Sequence, residues 1–316
     1  MNKQTTNTIL MVEPVAFGYN DQTAENNYFQ QKDASPENEI QKKALAEFQN
    51  FVDSLKSAGV NLIVVKDTLE PHTPDSIFPN NWISFHENGY VGIYPMYAEN
   101  RRAERRADIL NQMAEDGFLF REIMDYTASE KDGKYLEGTG SMILDRANKV
   151  AYAAISERTD KDLFLRFCND FHYTPVCFHA FQSVDGKRLP IYHTNVMMCV
   201  ADKYAVICLD TIDNVEERQT VKTSLTESGK EIIEITEQQM HSFAGNMLQV
   251  ENNDGKTFLV MSQSAFDSLT QDQIRKLSEY NKIISVPLPT IEKYGGGSAR
   301  CMMAEVFIPN RNMLNF

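Results

Sequence analysis

The sequence has no long apolar run and a shortage of positive charge. No stretch approaches the roughly 18 to 20 uncharged apolar residues that cross a membrane, so we expect a soluble chain with no membrane partner. Lysine and arginine number 31 against 44 aspartate and glutamate, a formal net charge of −13. Nucleic-acid binders carry a basic face, but the densest basic cluster here, residues 101–106, is interrupted by Glu104. No nucleic-acid partner is therefore expected.

Cysteine is scarce, and its spacing excludes two common uses. The five cysteines are odd in number and include no CxxC pair, which argues against a disulfide framework and against a structural zinc site. The first residues lack the apolar core and cleavage site of a signal peptide. We therefore predict a cytoplasmic protein with no metal and no cofactor. Four cysteines have apolar neighbours and are expected to be buried and unreactive, whereas Cys301 follows the glycine run Gly295–Gly297.

No linker rich in glycine, proline or serine divides the chain, but one kind of segment recurs. In each copy a small or polar group leads directly into a short apolar strand, and successive copies start roughly 50 to 57 residues apart. Spacing this even is typical of repeat architectures rather than of two unlike domains. The five segments are Pro79–Phe85, Glu137–Ile143, His193–Met198, Ala244–Val250 and Ala299–Ala304.

The residues after each segment predict a ββαβ unit. A hairpin turn and a second strand come next, then a polar stretch with helical periodicity, and then a third short β-rich run. One unit is split, because residues 9–14 supply a strand, Glu37–Ala58 a helix and residues 61–65 a closing strand, while Cys301–Pro309 supplies the remaining strand. The other helices are expected at Asn100–Glu115, Ser156–Asp170, Asp213–Ser228 and Ser264–Tyr280.

These units predict an α/β fold, namely a five-bladed α/β-propeller with pseudo-five-fold symmetry in one catalytic domain, residues 1–316. Equivalent positions of a closed repeat array meet at one end of its axis. The pattern therefore brings five polar segment starts into one axial pocket. They are Asn81, Glu137, His193, Asn246 and Cys301.

A cysteine, a histidine and a glutamate in one pocket are the parts of thiolate catalysis. Cys301 can act as the nucleophile once its thiol loses a proton, and the preceding glycines can bring backbone N–H groups close to an oxyanion. His193 can carry that proton to a leaving group, and Glu137 can orient the imidazole. Each residue also has a plain structural interpretation, since cysteine and histidine often begin core strands. The shared repeat register favours the catalytic one.

The same residues resemble the motifs of a known family. The segments Glu137–Gly140, His193–Asn195 and Gly295–Cys301 are similar to the EGGD, HxD and GG…C motifs of the guanidino-group modifying enzymes, which include arginine deiminase, dimethylarginine dimethylaminohydrolase and the amidinotransferases. The resemblance covers essentially the whole chain and implies the pentein fold. It also implies that Cys301 is the nucleophile, His193 the general acid and base, and Glu137 its partner. Arg158 resembles an arginine that holds a substrate carboxylate in several members.

Two departures from the family bear on the substrate. Asn80 and Asn81 stand where the family usually has an Arg-Asp pair, and Asn195 stands where it has the aspartate of HxD. Those aspartates normally hold the guanidinium cation with charge-assisted hydrogen bonds. A neutral ureido group suits amide side chains better, because it offers both an acceptor and donors. The strings FPNNW, HTN and GGGSARCM also look most like the citrulline-hydrolase branch.

The resulting hypothesis is cysteine-dependent hydrolysis of citrulline to ornithine, ammonia and carbon dioxide, with either C–N bond breaking first. Asn80, Asn81, Asn195, Arg101 and Arg158 are the predicted substrate-binding residues, and the substrate is a small amino acid. Three alternatives stay open: a guanidino-group deiminase, an amidinotransferase, with Glu137 and Glu305 supplying the missing charge, or a pentein-fold binding protein without activity. The substrate carboxylate has three candidate partners, Arg101, Arg158 and Arg300. The sequence is compatible with a homo-oligomer and fixes no oligomeric state.

Overall fold

Short strands and helices alternate along the chain in the computed structural model, which describes residues 3–313. The strands are β1 (Thr8–Glu13), β2 (Asn61–Lys66), β3 (Ile83–Phe85), β4 (Tyr90–Ile93), β5 (Glu122–Asp125), β6 (Ile143–Asp145), β7 (Val150–Ala154), β8 (Thr174–Phe178), β9 (Phe181–Val184), β10 (Lys187–Pro190), β11 (Met198–Val200), β12 (Tyr204–Ile207), β13 (Glu231–Glu234), β14 (Leu248–Glu251), β15 (Thr257–Ser262), β16 (Lys282–Val286) and β17 (Ala304–Glu305). The helices are α1 (Glu37–Ser57), α2 (Ala107–Glu115), α3 (Gly138–Ser141), α4 (Lys161–Phe171), α5 (Val215–Glu227), α6 (Glu237–His241), α7 (Gln263–Ser268), α8 (Gln271–Tyr280) and α9 (Pro289–Gly295).

Five small sheets of the described chain share one pattern. Each has three strands, of which the first pairs antiparallel with the second and the second pairs parallel with the third. A helix connects the second strand to the third, as a parallel pair requires. The chain is therefore a mixed α/β protein. The sheets have the strand orders β3-β4-β5, β6-β7-β8, β11-β12-β13, β14-β15-β16 and β17-β1-β2.

The sheet β17-β1-β2 joins segments that are far apart in the sequence. Ile9 of β1 lies opposite Glu305 of β17 in an antiparallel pair, and Leu10 lies opposite Ala304. On its other side β1 runs parallel to β2. Strands of neighbouring sheets also contact one another, β17 with β3, β6 with β11 and β11 with β14. The split unit expected from the sequence is thus assembled in one sheet.

The polar segment starts differ from the sequence-based expectation. They do not lead straight into strands, because a single helical turn comes first in four of them: Pro79–Asn81, Gly138–Ser141, Thr194–Val196 and Ala299–Met302. Such turns form by short-range backbone bonds, for example from the Met197 N–H to the Thr194 carbonyl at 3.1 Å. The strand expected over residues 301–309 consequently shrinks to two residues, Ala304–Glu305.

Helix ends follow local capping chemistry. The helix expected over 264–280 is two helices, because Thr270 accepts the Gln273 N–H and completes a capping box that starts α8. The helix expected over 156–170 begins only at Lys161, since the Asp160 side chain caps it by accepting the Leu163 N–H. The hairpin β9-β10 has no counterpart in the prediction.

Burial separates the inner strands from the outer ones. The first strands β3, β6 and β11 are buried along their whole length, whereas β5 on the outside is largely exposed. Apolar side chains from helices and second strands fill the space between sheets. The helical turns at the start of the first strands therefore deliver polar side chains into a buried region. Within residues 3–313, no helix is long and apolar enough to cross a membrane.

Candidate active site

The three predicted catalytic residues lie in the wall of one small buried cavity or directly behind it. Its volume is about 20 Å³, room for about one water molecule. Cys301 and His193 line it, and Glu137 bonds His193 from behind. The lining also includes residues from other parts of the chain, among them Thr23, Asn27, Asp75, Asn81, Arg101 and Arg158.

His193 and Glu137 form a direct hydrogen bond. His193 Nε2 lies 2.7 Å from Glu137 Oε2, and both side chains are buried. The second carboxylate oxygen, Oε1, accepts the Tyr97 backbone N–H at 2.8 Å. An ionised carboxylate only accepts hydrogen bonds, so Nε2 carries the imidazole proton. The other ring nitrogen, Nδ1, then presents a lone pair and can take a proton.

The charges around this pair set its protonation state. Burial opposes ionisation of Glu137, but the Arg158 guanidinium and the His193 hydrogen bond outweigh it and lower the pKa of Glu137 to about 2. Burial also lowers the pKa of His193, to about 4, although Glu137 acts to raise it. Near neutral pH the pair is therefore a carboxylate and a neutral imidazole, which is the form that can act as a base.

Two asparagine amides surround the Cys301 sulfur. Asn195 Nδ2 donates to Sγ at 3.3 Å, and Asn246 Nδ2 donates to it at 3.2 Å. The orientation of the Asn246 amide is fixed, because its Oδ1 accepts the Arg300 N–H at 3.1 Å. Both side chains thus place an N–H donor against the sulfur of Cys301. The repeat register predicted that Asn246 lies in this pocket, but the sequence analysis assigned it no chemical role.

Gly140 allows the histidine and Asn81 to approach each other. A Cβ at this position would lie 2.4 Å from Asn81 Nδ2 and 2.8 Å from His193 Nδ1. Contacts that short are forbidden, so only glycine lets α3 pack here. The EGxG motif is therefore explained by packing against the site as well as by its glutamate.

Arg158 is buried beside Glu137, with its Nη1 3.6 Å from Oε2. Its other nitrogens are held by residues 20–31, which we call the cover segment. Nε donates to Asn26 Oδ1 at 2.8 Å, and Nη2 donates to the Thr23 carbonyl at 2.7 Å. The guanidinium also lies 4.9 Å from the ring centre of Tyr192. The cover segment thus occupies the donors with which Arg158 would hold a carboxylate.

Arg101 fixes the orientation of Asn81. Its Nε and Nη2 bond both oxygens of Glu104, at 2.8 and 2.9 Å, and its Nη1 donates to Asn81 Oδ1 at 2.9 Å. A guanidinium has no acceptor, so the Asn81 amide must place its oxygen toward Arg101 and its NH₂ away. Burial raises the pKa of Glu104 to about 7, against the attraction of Arg101.

Asp75 is a site residue that the sequence reasoning missed. Its Oδ2 accepts from Asn20 Nδ2 at 2.7 Å, and it lies 3.8 Å from Arg101 Nε. Its other oxygen, Oδ1, is buried and makes no hydrogen bond to the described residues. Burial raises the pKa of the Asp75 carboxyl. Asp75 lies outside the repeated segments, and its only sequence signal is its position four residues before Pro79.

Three other predicted residues lie farther from the cavity. The Asn80 amide donates to Thr139 Oγ1 at 3.3 Å and is not part of the lining. Glu305 accepts from Arg146 Nε at 3.3 Å and from Arg300 Nη2 at 2.7 Å, so its charge is already paired. The same contact directs Arg300 away from the cavity that Cys301 lines.

Two buried amide atoms beside the reacting groups have no partner among the described residues, Asn81 Nδ2 and Asn195 Oδ1. One is a donor and the other an acceptor, and buried polar groups without partners are rare. A group of three or more histidine, cysteine, aspartate or glutamate side chains that could hold a metal ion does not occur within residues 3–313. The unpartnered atoms are thus suited to an organic ligand with both an acceptor and a donor.

Comparison with known structures reveals the fold. ArgZ, an arginine dihydrolase from the ornithine-ammonia cycle in cyanobacteria, matches with a TM-score of 0.74 and 18% identity over 96% of this chain, which spans 41% of that protein. The N-terminal domain of ArgZ, in a cysteine-to-serine variant bound to substrate, matches with a TM-score of 0.71 and 18% identity over 95% of this chain and 97% of that domain. DDAH from Pseudomonas aeruginosa, also a cysteine-to-serine variant and complexed with citrulline, gives 0.65 and 14% over 95% and 99% of the two chains.

The sequence matches no curated protein. A family model does match, and it covers residues 13–308, nearly the whole described chain and all the site residues discussed above. Its description is N,N dimethylarginine dimethylhydrolase, eukaryotic. The structural neighbours are guanidino-modifying enzymes of the pentein superfamily, as the sequence motifs imply. The chain therefore belongs to the N,N-dimethylarginine dimethylhydrolase (eukaryotic) family of the pentein superfamily.

Proposed function

We propose that this protein is a cysteine-dependent hydrolase of ureido C–N bonds that converts citrulline to ornithine, ammonia and carbon dioxide. Relatives in the superfamily act on C–N bonds of guanidino compounds, and one neighbour was crystallised with citrulline. The assignment of a ureido substrate rests on the residues around the Cys301 cavity in this chain.

The observation that carries the proposal is the orientation of Asn81. Arg101 holds its oxygen, so the unpartnered Nδ2 is a fixed donor beside His193 and Gly140. A ureido oxygen can accept that hydrogen bond, whereas a guanidinium offers only donors and would leave it unmade. A buried donor left without a partner costs roughly 1–3 kcal/mol. The Asn81 amide therefore favours a ureido group over a guanidinium.

The reaction follows from these positions. His193 Nδ1 takes the thiol proton of Cys301, and Sγ forms a bond to the ureido carbon while the C=O electrons move to oxygen, where Asn81 Nδ2 can donate. When the tetrahedral adduct collapses, the bond from carbon to the side-chain nitrogen breaks and His193 returns the proton to that nitrogen, releasing ornithine. Water, deprotonated by His193, then cleaves the carbamoyl thioester to carbamic acid and the free thiol. Carbamic acid decays to ammonia and carbon dioxide.

In the other order, ammonia leaves first. The thioester then carries the ornithine side chain, and its hydrolysis gives an N-carboxy-ornithine that loses carbon dioxide. Mass spectrometry of the intact protein, quenched during turnover, distinguishes the two orders. The thioester that carries the ornithine part is much heavier than the carbamoyl thioester. Either adduct must be on Cys301.

The cover segment must move for an amino acid to enter. The cavity holds about one water molecule, and residues 20–31 close it through bonds such as Gln30 Nε2 to the Tyr294 carbonyl at 2.8 Å. Displacing this segment frees the Arg158 donors that Thr23 and Asn26 occupy. Arg158 is then available for the substrate carboxylate, as the family resemblance implies.

A second candidate is a guanidino substrate, with which Asp75 is compatible. Asp75 lines the cavity, and its Oδ1, which has no partner among the described residues, can accept from a cation. In an arginine-type substrate that cation is the guanidinium, and in citrulline it is the α-ammonium. Asp75 therefore does not distinguish a guanidino substrate from a ureido substrate, whereas Asn81 does.

The fold proposal is a ring of five blades in one catalytic domain. It is supported by five sheets of one pattern and by contacts between neighbouring sheets, including β17 with β3. In this proposal the sheet that contains β1 and β17 is the one that closes the ring.

We expect Cys301→Ala to abolish turnover of citrulline without unfolding the protein. The assay incubates the protein with citrulline, arginine, agmatine and methylated arginines, and measures ornithine, citrulline and ammonia. Cys177→Ala is the matched control, because that half-buried thiol lies on β8. Turnover that survives in Cys301→Ala would refute the mechanism. Binding of substrates without turnover by the unaltered protein would favour a binding protein instead.

The double variant Asn81→Asp with Asn195→Asp should shift selectivity from citrulline toward arginine. Each substitution replaces an amide by an acceptor-only carboxylate, which suits a guanidinium. The measurement is the ratio of kcat/KM for the two substrates in competition. An unchanged ratio in a folded double variant would remove the argument from charge and leave the guanidino candidate.

A further inference from the structure

A second cavity, of about 200 Å³, shares no lining residue with the one at Cys301. It lies where the hairpins β3-β4 and β6-β7 turn, and it is lined by residues from both hairpins and from segments near both ends of the described chain. A volume below the roughly 300–1,000 Å³ of drug-sized sites indicates a small ligand.

Positive charge gathers in this cavity although the protein as a whole carries −13. Arg146 is buried in its wall, and the carboxylate it pairs with, Glu305, is shared with Arg300. Two guanidiniums on one carboxylate leave one positive charge uncompensated. Lys149 adds another, since its Nζ forms no ion pair within the part of the chain that the structure describes.

The acidic residue of the lining offsets only part of this charge. Glu87 is exposed, its Oε1 accepts the backbone N–H of Lys3 at 2.8 Å, and its charge acts on Lys149. Lys3 itself also lines the cavity and carries a charged side chain that bonds Glu251. The lining thus holds three basic residues, Lys3, Arg146 and Lys149, against one acidic residue.

Aromatic rings complete the walls. The His86 ring stacks on Phe171 with centroids 4.1 Å apart, Lys149 Nζ lies 4.6 Å from the centre of the Tyr173 ring, and the Arg146 guanidinium lies 4.2 Å from that of Phe307. Burial keeps the pKa of His86 well below its usual value, so His86 contributes a neutral ring. These rings form the apolar part of the wall around the two cations.

The backbone at Lys149 adopts a left-handed conformation that belongs to the hairpin turn. Its φ is 55°, and a residue in this conformation commonly closes a hairpin loop. Gly89 occupies the matching place, directly before the second strand, in the neighbouring hairpin β3-β4, with φ 81°. The turn of the hairpin β6-β7 therefore fixes the position from which Lys149 lines the cavity.

We infer that this cavity binds a small organic anion whose phosphate or carboxylate group pairs with Arg146 and Lys149 while its apolar part contacts the aromatic residues Phe171, Tyr173 and Phe307. Both oxyanions match a guanidinium and an ammonium side by side. The site is distinct from the catalytic cavity and does not depend on which substrate the enzyme turns over.

Isothermal titration with phenyl phosphate and with benzoate tests the site, with benzamide as the uncharged probe. The key variant is Lys149→Asn, because asparagine tolerates the left-handed conformation and lacks the ammonium group. Lys203→Asn is the matched control, since Lys203 is exposed and precedes the second strand of another hairpin.

We expect saturable binding of at least one anion, weakened tenfold or more in Lys149→Asn and unchanged in Lys203→Asn. Binding of phenyl phosphate alone identifies a phosphate ligand, and binding of benzoate alone identifies a carboxylate. Three results would overturn the inference: no saturable binding of either anion, equal binding by the unaltered protein and Lys149→Asn, or benzamide binding as well as benzoate.

Discussion

At the scale of single residues, the site depends on how charged groups restrict one another. Arg101 and Arg158 each face a carboxylate, Glu104 and Glu137, and each also contacts a neutral amide, Asn81 or Asn26. The carboxylates fix the guanidiniums, and these in turn fix the amides. The selectivity argued for Asn81 is therefore a property of this whole set rather than of one side chain.

Glu137→Gln should lower kcat on the order of 10²–10⁴-fold, the usual contribution of a positioned acid-base group. The carboxylate keeps the proton of His193 on Nε2, whereas a glutamine can donate its own N–H to that nitrogen and shift the imidazole proton to Nδ1. The base that Cys301 needs would then be lost. The measurement is the pH profile of kcat, with Glu122→Gln on the exposed strand β5 as control. A profile of unchanged height and position would contradict the assigned tautomer.

The same pair makes stability fall in acid. The folded protein holds His193 neutral down to about pH 4, whereas its ordinary pKa is 6.5. The unfolded chain therefore takes up a proton first, and stability declines as the pH drops from 6.5 to 4. Glu137, with a pKa near 2 instead of 4.5, continues the decline below pH 4.5. Denaturant unfolding across this range should show a flatter decline for His193→Asn than for the unaltered protein, and parallel curves would contradict the lowered pKa of His193.

At the scale of elements, the short helical turns before the first strands bring the site together. The turn α3 packs against the turns Pro79–Asn81 and Thr194–Val196, and it can do so because Gly138 and Gly140 leave no side chain in the way. At Gly138 a Cβ would lie 2.3 Å from the Asn80 carbonyl oxygen. The geometry of the site is therefore set by backbone contact between turns.

Gly140→Ala should reduce activity more than it reduces stability. The added methyl group collides with His193 and Asn81, and overpacking of this kind costs about 1–3 kcal/mol, which a protein of ordinary stability survives. Displacing the imidazole should lower kcat well beyond tenfold. Gly18→Ala is the control, since nothing lies within 4 Å of a Cβ there. Equal activity of the two variants would show that the turn can shift without moving the site.

Some elements could be predicted from the sequence and others could not. Periodicity predicted the strands Thr174–Phe178 and Lys282–Val286 to the residue, and the register of the repeat brought Glu137, His193 and Cys301 to one place. The periodic pattern could not reveal Asp75 or the cover segment, because residues 14–36 and 67–78 contain no named helix or strand and carry no periodic signal. Side chains that act on the site from irregular segments leave no periodic signal.

At the scale of the whole molecule, the sheet of β17, β1 and β2 ties distant segments into one core. Ile9, Leu10 and Met11 of its central strand are completely buried. Removing a single such side chain typically costs about 2–5 kcal/mol, against a total stability of about 5–15 kcal/mol. The strand β1 is thus indispensable to the fold.

Deleting residues 3–13 should therefore abolish cooperative unfolding and enzymatic activity together. A short Gly-Ser insertion between Asp185 and Gly186, at the tip of β9-β10, should change stability by less than about 1 kcal/mol, because surface hairpin tips tolerate added length. Circular dichroism in denaturant compares the two. A cooperative transition in the deleted protein would show that the remaining sheets form a stable core without β1.

The pairing of Ile9 with Glu305 has a consequence for how the protein is made. During synthesis, residues 299–305 leave the ribosome after the strands of the other four sheets, and they bring both the partner of β1 and Cys301. Until then β1 has an open edge and the pocket has no sulfur. The step that completes the final sheet therefore also delivers Cys301, the residue on which the proposed reaction depends.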